Sequence, residues 1–182
     1  MNHAVRFAVM MLATAVAAFG QSGKSPYAGQ EKRQIKALSE AEVQAYLDGE
    51  GMGLAKAAEF NRHPGPKHVL EMADQLQLSE KQKSETQNVY DRMHARATRL
   101  GKLILGRESE LDSLFAGKSI DSRKLRAVTA EIARLQGRLR TAHLGAHVEM
   151  KRVLTPQQIA KYVILRGYEP SDQHDLHKGH RK

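Results

Sequence analysis

The sequence predicts an all-α fold, a long antiparallel helical hairpin with short flanking helices. Three observations predict it. Between Ser79 and Thr155, apolar residues recur at three- and four-residue steps along two stretches parted by one turn, and that step is the helical period. Each end of the region carries the form Leu-Ser/Thr-x-x-Gln, as Leu78-Ser79-Glu80-Lys81-Gln82 and as Leu154-Thr155-Pro156-Gln157-Gln158. In that spacing the hydroxyl accepts the backbone N–H three residues on and the glutamine reaches back, which is a capping box at a helix start. Strand-like alternation, a GxGxxG turn and a Walker-type loop are all missing from the sequence.

In chain order, Met1 to Arg6 is a short basic start and Phe7 to Phe19 is apolar or small except for Thr14. Such a run is too short to span a bilayer and fits a secretory signal, with cleavage near Gly20. Residues 21–37 are expected as a flexible polar leader. Ser39-Glu40-Ala41-Glu42 is a further capping box, opening a short helix to about Asp48 that Gly49, Gly51 and Gly53 interrupt. Met52 to Phe60 predicts a second short helix. His63-Pro64-Gly65-Pro66 breaks the chain, because proline lacks a donor and disfavours helix before it. Lys67 to Leu76 predicts a third.

The hairpin domain is expected over residues 79–168. Its first arm, Glu80 to about Phe115, places Val89, Met93, Ala97, Leu100, Leu103, Ile104, Leu111, Leu114 and Phe115 mostly on one side. Gly101 and Gly106 weaken it, by about 1 kcal/mol each relative to alanine. Gly117 to Asp121 is the turn, with Asp121 or Ser119 as the next cap. The second arm carries Leu125, Val128, Ile132, Leu135, Leu139, Ala142, Ala146, Met150 and Val153, a heptad-like seam that needs a partner helix. The first arm or a second copy of the chain fits that need, and a homodimer is expected. Pro156, at a first helical position where its missing donor costs nothing, opens a last helix that Gly167 ends. Residues 169–182 form a polar tail.

The formal net charge is +9, with no cysteine and no tryptophan. Disulfides and a lipidated cysteine anchor are thereby excluded. Export argues against nucleic acid as the partner of the basic surface, as does the scarcity of aromatic side chains for base stacking. An exported, unanchored, periplasmic protein with no stable membrane insertion is expected. The sequence offers no nucleophile elbow and no carboxylate pair in a recognisable catalytic motif, so a binding role is expected rather than an enzyme.

Four groups of residues bear on binding. His143 and His147 lie four apart, about 6 Å along one helix face, so both imidazoles can reach one transition metal. Folding the hairpin about its turn, between residues 118 and 119, sets His94 opposite His143, with Asp91 close by as an oxygen donor. Glu108 falls on the apolar side of the first arm, where it can bind metal, pair across a dimer or sit at the seam edge with its head in water. In the tail, His174, His177 and His180 form a secondary chelating set for zinc, nickel or copper. Finally, Arg92, Arg96 and Arg99 on one arm and Arg134 and Arg138 on the other make a basic flank beside leucines. It is either a plain solvated flank or a surface for unfolded or acidic clients.

The signal segment, the two Leu-Ser/Thr-x-x-Gln boxes and the arms between them resemble the LTxxQ superfamily of periplasmic proteins. That group includes Spy/CpxP-type stress proteins and CnrX/ZraP-type heavy-metal sensors and resistance proteins. The resemblance covers roughly 76–168, and Met52-Gly53-Leu54-Ala55 with Pro64-Gly65-Pro66 resembles the N-terminal extension of its metal-sensor branch. It implies a hooked, Spy/CpxP-like helical hairpin that often dimerises. It also implies either transition-metal binding linked to envelope signalling or resistance, or ATP-independent holding of unfolded proteins. The sensor branch uses a His-x-x-x-His or His-x-x-x-Met pair with a carboxylate, and His143 with His147 matches the pair. Ser79 stands where the motif has threonine.

Overall fold

The computed structural model describes residues 23 and 25–169. Every regular element among them is helical: α1 (Glu40–Leu47), α2 (Lys56–Glu59), α3 (Pro66–Glu71), α4 (Glu80–Ala116), α5 (Ser122–Val153) and α6 (Pro156–Leu165), preceded by a 3-10 turn at Gln30–Lys32. None of these helices is long and apolar enough to cross a membrane. The expected signal segment and the tail histidines His174, His177 and His180 lie outside the described residues.

The helix starts follow their sequence signals. Ser39, Ser79 and Thr155 each accept the N–H three residues on, and the Glu42, Gln82 and Gln158 side chains each accept the cap residue's own N–H. Asp121, rather than Ser119, caps α5, accepting from the Arg123 and Lys124 N–H groups at 2.8 Å. Gly167, at φ 71°, ends α6. There the Gly167 N–H donates to the Ile164 carbonyl and the Tyr168 N–H to the Val163 carbonyl, the paired bonds of a left-handed helix stop. The second short helix is curtailed. Met52 and Gly53 both have positive φ, 42° and 77°, so the chain turns where helix was expected and regular structure begins only at Lys56. At the end of the stretch expected as a leader, Ile35 is buried and Lys36 Nζ lies 2.8 Å from Asp112 Oδ2 of α4.

α4 and α5 pack along their length as the hairpin. Two clusters of buried side chains form the core. One, at the open end, joins Val69, Leu76 and Leu78 to Val89, Met150, Leu154, Tyr162 and Val163. The other, at mid-hairpin, joins Ala97, Leu100 and Ile104 to Leu135 and Leu139, roofed by Tyr46 and Leu54. Toward the turn, over residues 106–127, no apolar side chain of the two arms is buried. Leu103 and Phe115, expected on the apolar side, are 49% and 55% exposed, and Leu125 is exposed too.

The two capping boxes also meet. Gln82 Nε2 donates to the Val153 carbonyl at 2.9 Å and to Gln158 Oε1 at 2.7 Å, while Gln158 Nε2 donates to the Leu76 carbonyl at 3.2 Å and to Gln82 Oε1 at 3.1 Å. Each glutamine therefore closes its own helix start and ties down the other's.

Candidate metal centre

Between the two core clusters the packing opens into a cavity of about 820 Å³. His143 and His147 of α5, His94 and Met93 of α4, the Gly49–Gly53 turn, Glu59 of α2, and Gly65, Arg166 and Tyr168 all line it. Glycine lets the loop before α3 close on one imidazole: a Cβ at Gly65 would lie 2.9 Å from His147 Cε1 and 3.1 Å from its Nε2. Gly51 stands beside the other, where a Cβ would make ordinary contact with His143 Nδ1 at 3.7 Å. Phe60 and Tyr168 meet edge to face, 5.4 Å between centroids, at the rim.

Both α5 histidines are buried, His143 at 5% exposure and His147 at 9%. Burial first, then the neighbouring His147 and His94 charges, push His143 below the ordinary imidazole range. Burial also lowers His147, against the opposing pull of the His63 carbonyl and the Glu59 charge. Both are held neutral, the form that ligates metal. His147 Nδ1 donates to the His63 carbonyl at 2.7 Å. Its proton is thereby placed on Nδ1, so Nε2 carries the lone pair, on the side where Gly65 leaves room. His143 Nε2 is buried with no hydrogen-bond partner. An unpartnered polar atom in a buried site is costly.

His94 lies near enough to His143 for its charge to act on that imidazole, and it is not among the charges acting on His147. Arg92 Nη2 bonds Glu149 Oε2 across the hairpin at 2.7 Å. His94 does line the same cavity, but its Nε2 donates to the Asp48 carbonyl at 2.9 Å and its ring stacks on Tyr90. Asp91 is exposed, accepts from Gln87 Nε2 at 2.8 Å, and does not line the cavity. Among the described residues, no three histidine or carboxylate groups are already grouped to hold one ion. Glu108 stands half-buried on the far part of α4, and burial raises its carboxyl above the ordinary range. Of the basic flank, Arg92 is paired to Glu149 and Arg134 to Glu131, while Arg96 and Arg99 are exposed.

Sequence reasoning missed Glu59, Gly65, Tyr162, Arg166 and Tyr168. Glu59 is one of the few buried charged groups, at 8% exposure. Its Oε1 accepts from Tyr162 OH at 2.6 Å, Tyr168 OH at 3.1 Å and Arg166 Nε at 3.2 Å. Its Oε2 has no partner and lies 3.6 Å from His147 Nδ1. The one sequence signal was two tyrosines six apart around an arginine in an aromatic-poor chain, too weak to name a partner 100 residues away.

A family model described as heavy-metal resistance matches residues 51–161. That span runs from the glycine turn over His143 to the middle of α6, and so takes in most of the cavity wall. Neither the curated proteins nor the solved structures gave a match.

Proposed function

The chain belongs to the heavy-metal resistance family, and from that premise we propose that it binds a divalent transition metal in the cavity between its core clusters, with His143 and His147 as the protein ligands. The observation that carries this is the state of the two imidazoles. Both are buried, one has its Nδ1–H spoken for so that Nε2 is free, and the other has a buried Nε2 with no partner. Side chains four apart on a helix present both nitrogens to one ion. Imidazole without thiolate suits zinc, nickel or copper(II) rather than a soft monovalent ion. His94, on the same wall, joins as third ligand once its bond to the Asp48 carbonyl opens. The role is that of an exported metal sensor or resistance accessory. The apolar run at 7–19 and the resemblance to periplasmic LTxxQ proteins support that location.

Titration calorimetry with zinc, nickel and copper on the full chain, with alanine at positions 174, 177 and 180 to silence the tail, tests the reading. One ion per chain at micromolar affinity or tighter is expected, lost when His143→Ala and His147→Ala are combined. Affinity that survives the double substitution would remove this site from the account.

A further inference from the structure

The Glu59 carboxylate joins three parts of the chain. It sits on α2, it is held by side chains on and just after α6, and it faces a histidine of α5. Its two oxygens are treated very differently. Oε1 collects three donors, while Oε2 is buried, unpartnered and turned toward His147. At 3.6 Å the Oε2 to Nδ1 approach is too long for a hydrogen bond, and Nδ1–H goes to the His63 carbonyl instead. A carboxylate oxygen left bare in a buried site is a standing cost, and a positive charge arriving beside it offsets that cost.

We propose that Glu59 is a positioning residue for the metal centre: standing behind the Nδ1 edge of His147, it supplies the negative charge that answers the charge a bound ion delivers to that imidazole. This inference rests on the metal-binding reading above. The physical chain is short. A cation on Nε2 withdraws electron density through the ring and makes Nδ1–H a stronger donor and a more positive group. A carboxylate behind a ligating imidazole then strengthens it as a ligand, and in a buried site the attraction is little screened. The Oε2 side of the group also lines the cavity, where a Cβ at Gly65 would stand 3.5 Å from it. Metal itself is not needed on Oε2, because that oxygen faces the Nδ1 edge of His147, away from the lone pair on Nε2.

Tyr162 is what fixes the carboxylate. Its hydroxyl bonds Oε1 at 2.6 Å and accepts from the Gly65 N–H at 3.3 Å. Burial and the adjacent carboxylate push the phenol far above its ordinary range, so it remains a donor at every physiological pH. Arg166 and Tyr168 complete the clamp, and the hydroxyl of Tyr168 is in turn bonded by Arg166 Nη2 at 3.3 Å.

The test measures zinc affinity in the full chain with the tail histidines replaced by alanine, as parent, Glu59→Gln and Tyr162→Phe, alongside the thermal midpoint of each without metal. Glu59→Gln is expected to weaken zinc by about 10- to 100-fold at unchanged stoichiometry. Tyr162→Phe, which keeps the ring and frees the carboxylate, is expected to weaken it several-fold, and it carries the test if Glu59→Gln fails to fold. A carboxylate with a purely structural role would lower the metal-free midpoint and leave the affinity of the folded variants equal to the parent's, and that result overturns the inference. A parent chain whose zinc binding is absent, or indifferent to His143 and His147, overturns the metal reading and this inference together.

Discussion

Gly101 is a hydrogen's width from being impossible to replace. The Tyr46 carbonyl oxygen of α1 lies where a Cβ would come within 2.0 Å, and the carbonyl carbon within 2.8 Å. Backbone atoms cannot swing aside as a side chain can, so α1 must lift from α4 to admit a methyl group. Gly101→Ala is therefore expected to cost about 1–3 kcal/mol, the range for overpacking, as a shift in the urea midpoint. Gly106, five residues on, has nothing within 4 Å. Gly106→Ala should gain on the order of 0.5–1 kcal/mol from helix propensity alone. Equal effects at the two positions would mean that α1 does not rest on Gly101 in solution. The sequence told these glycines apart not at all. Propensity is a property of the residue, and both weaken an isolated helix alike, whereas what meets Gly101 comes from a segment more than fifty residues earlier. The candidate site divides along the same line. His143 and His147 were legible because their relation is local, four residues on one helix. Glu59 was not, because nothing near it in sequence reveals that Tyr162, Arg166 and Tyr168 surround it.

At the scale of elements, the paired boxes show how a local signal can carry a second, tertiary meaning. Gln82 and Gln158 satisfy their own caps through Oε1 and use Nε2 to reach the other helix pair. Glutamate at either position can still close the capping box, since it keeps the acceptor. It lacks the N–H donors, however, and leaves the Val153 or Leu76 carbonyl facing a carboxylate. Gln82→Glu is expected to destabilise by about 1–3 kcal/mol, the cost of orphaning partly buried acceptors, measured by chemical denaturation at neutral pH. A change near zero would show that the glutamines act as caps and nothing more. The periodicity of the second arm was a sound guide to its core: seven of the nine seam positions read from the sequence, Val128 through Met150, are buried. A seam of three- and four-residue steps alone fits a facing helix almost equally well after a small slide, and folding about the turn narrows the choice: the His94 charge acts on His143 and not on His147. Contacts outside the seam, the glutamine pair and Arg92 with Glu149, hold the arms in place.

For the whole molecule, the site's position predicts where an ion would be felt. The cavity separates the open-end cluster from the mid-hairpin cluster, and its walls come from α4, α5, the glycine turn, α2 and the loop into α3. Beyond Leu105 and before Val128 the hairpin holds no buried apolar side chain, so that end opens without exposing either cluster or the cavity. Binding to the folded state alone stabilises it by RT ln(1 + [L]/Kd), about 2.7 kcal/mol at a hundredfold excess over Kd. Only openings that dismantle the site feel that term. Amide exchange with saturating zinc should therefore slow by up to about 100-fold over residues 47–68 and around His143 and His147, and stay unchanged over 107–127. Protection spread evenly over the chain would instead mark metal-driven association of hairpins, because a second copy would cover the bare distal arms. Protection confined to the α2–α3 region and the α5 histidines would mean that one chain closes on its ion, with the short N-terminal helices as the moving part and the long hairpin as the fixed frame.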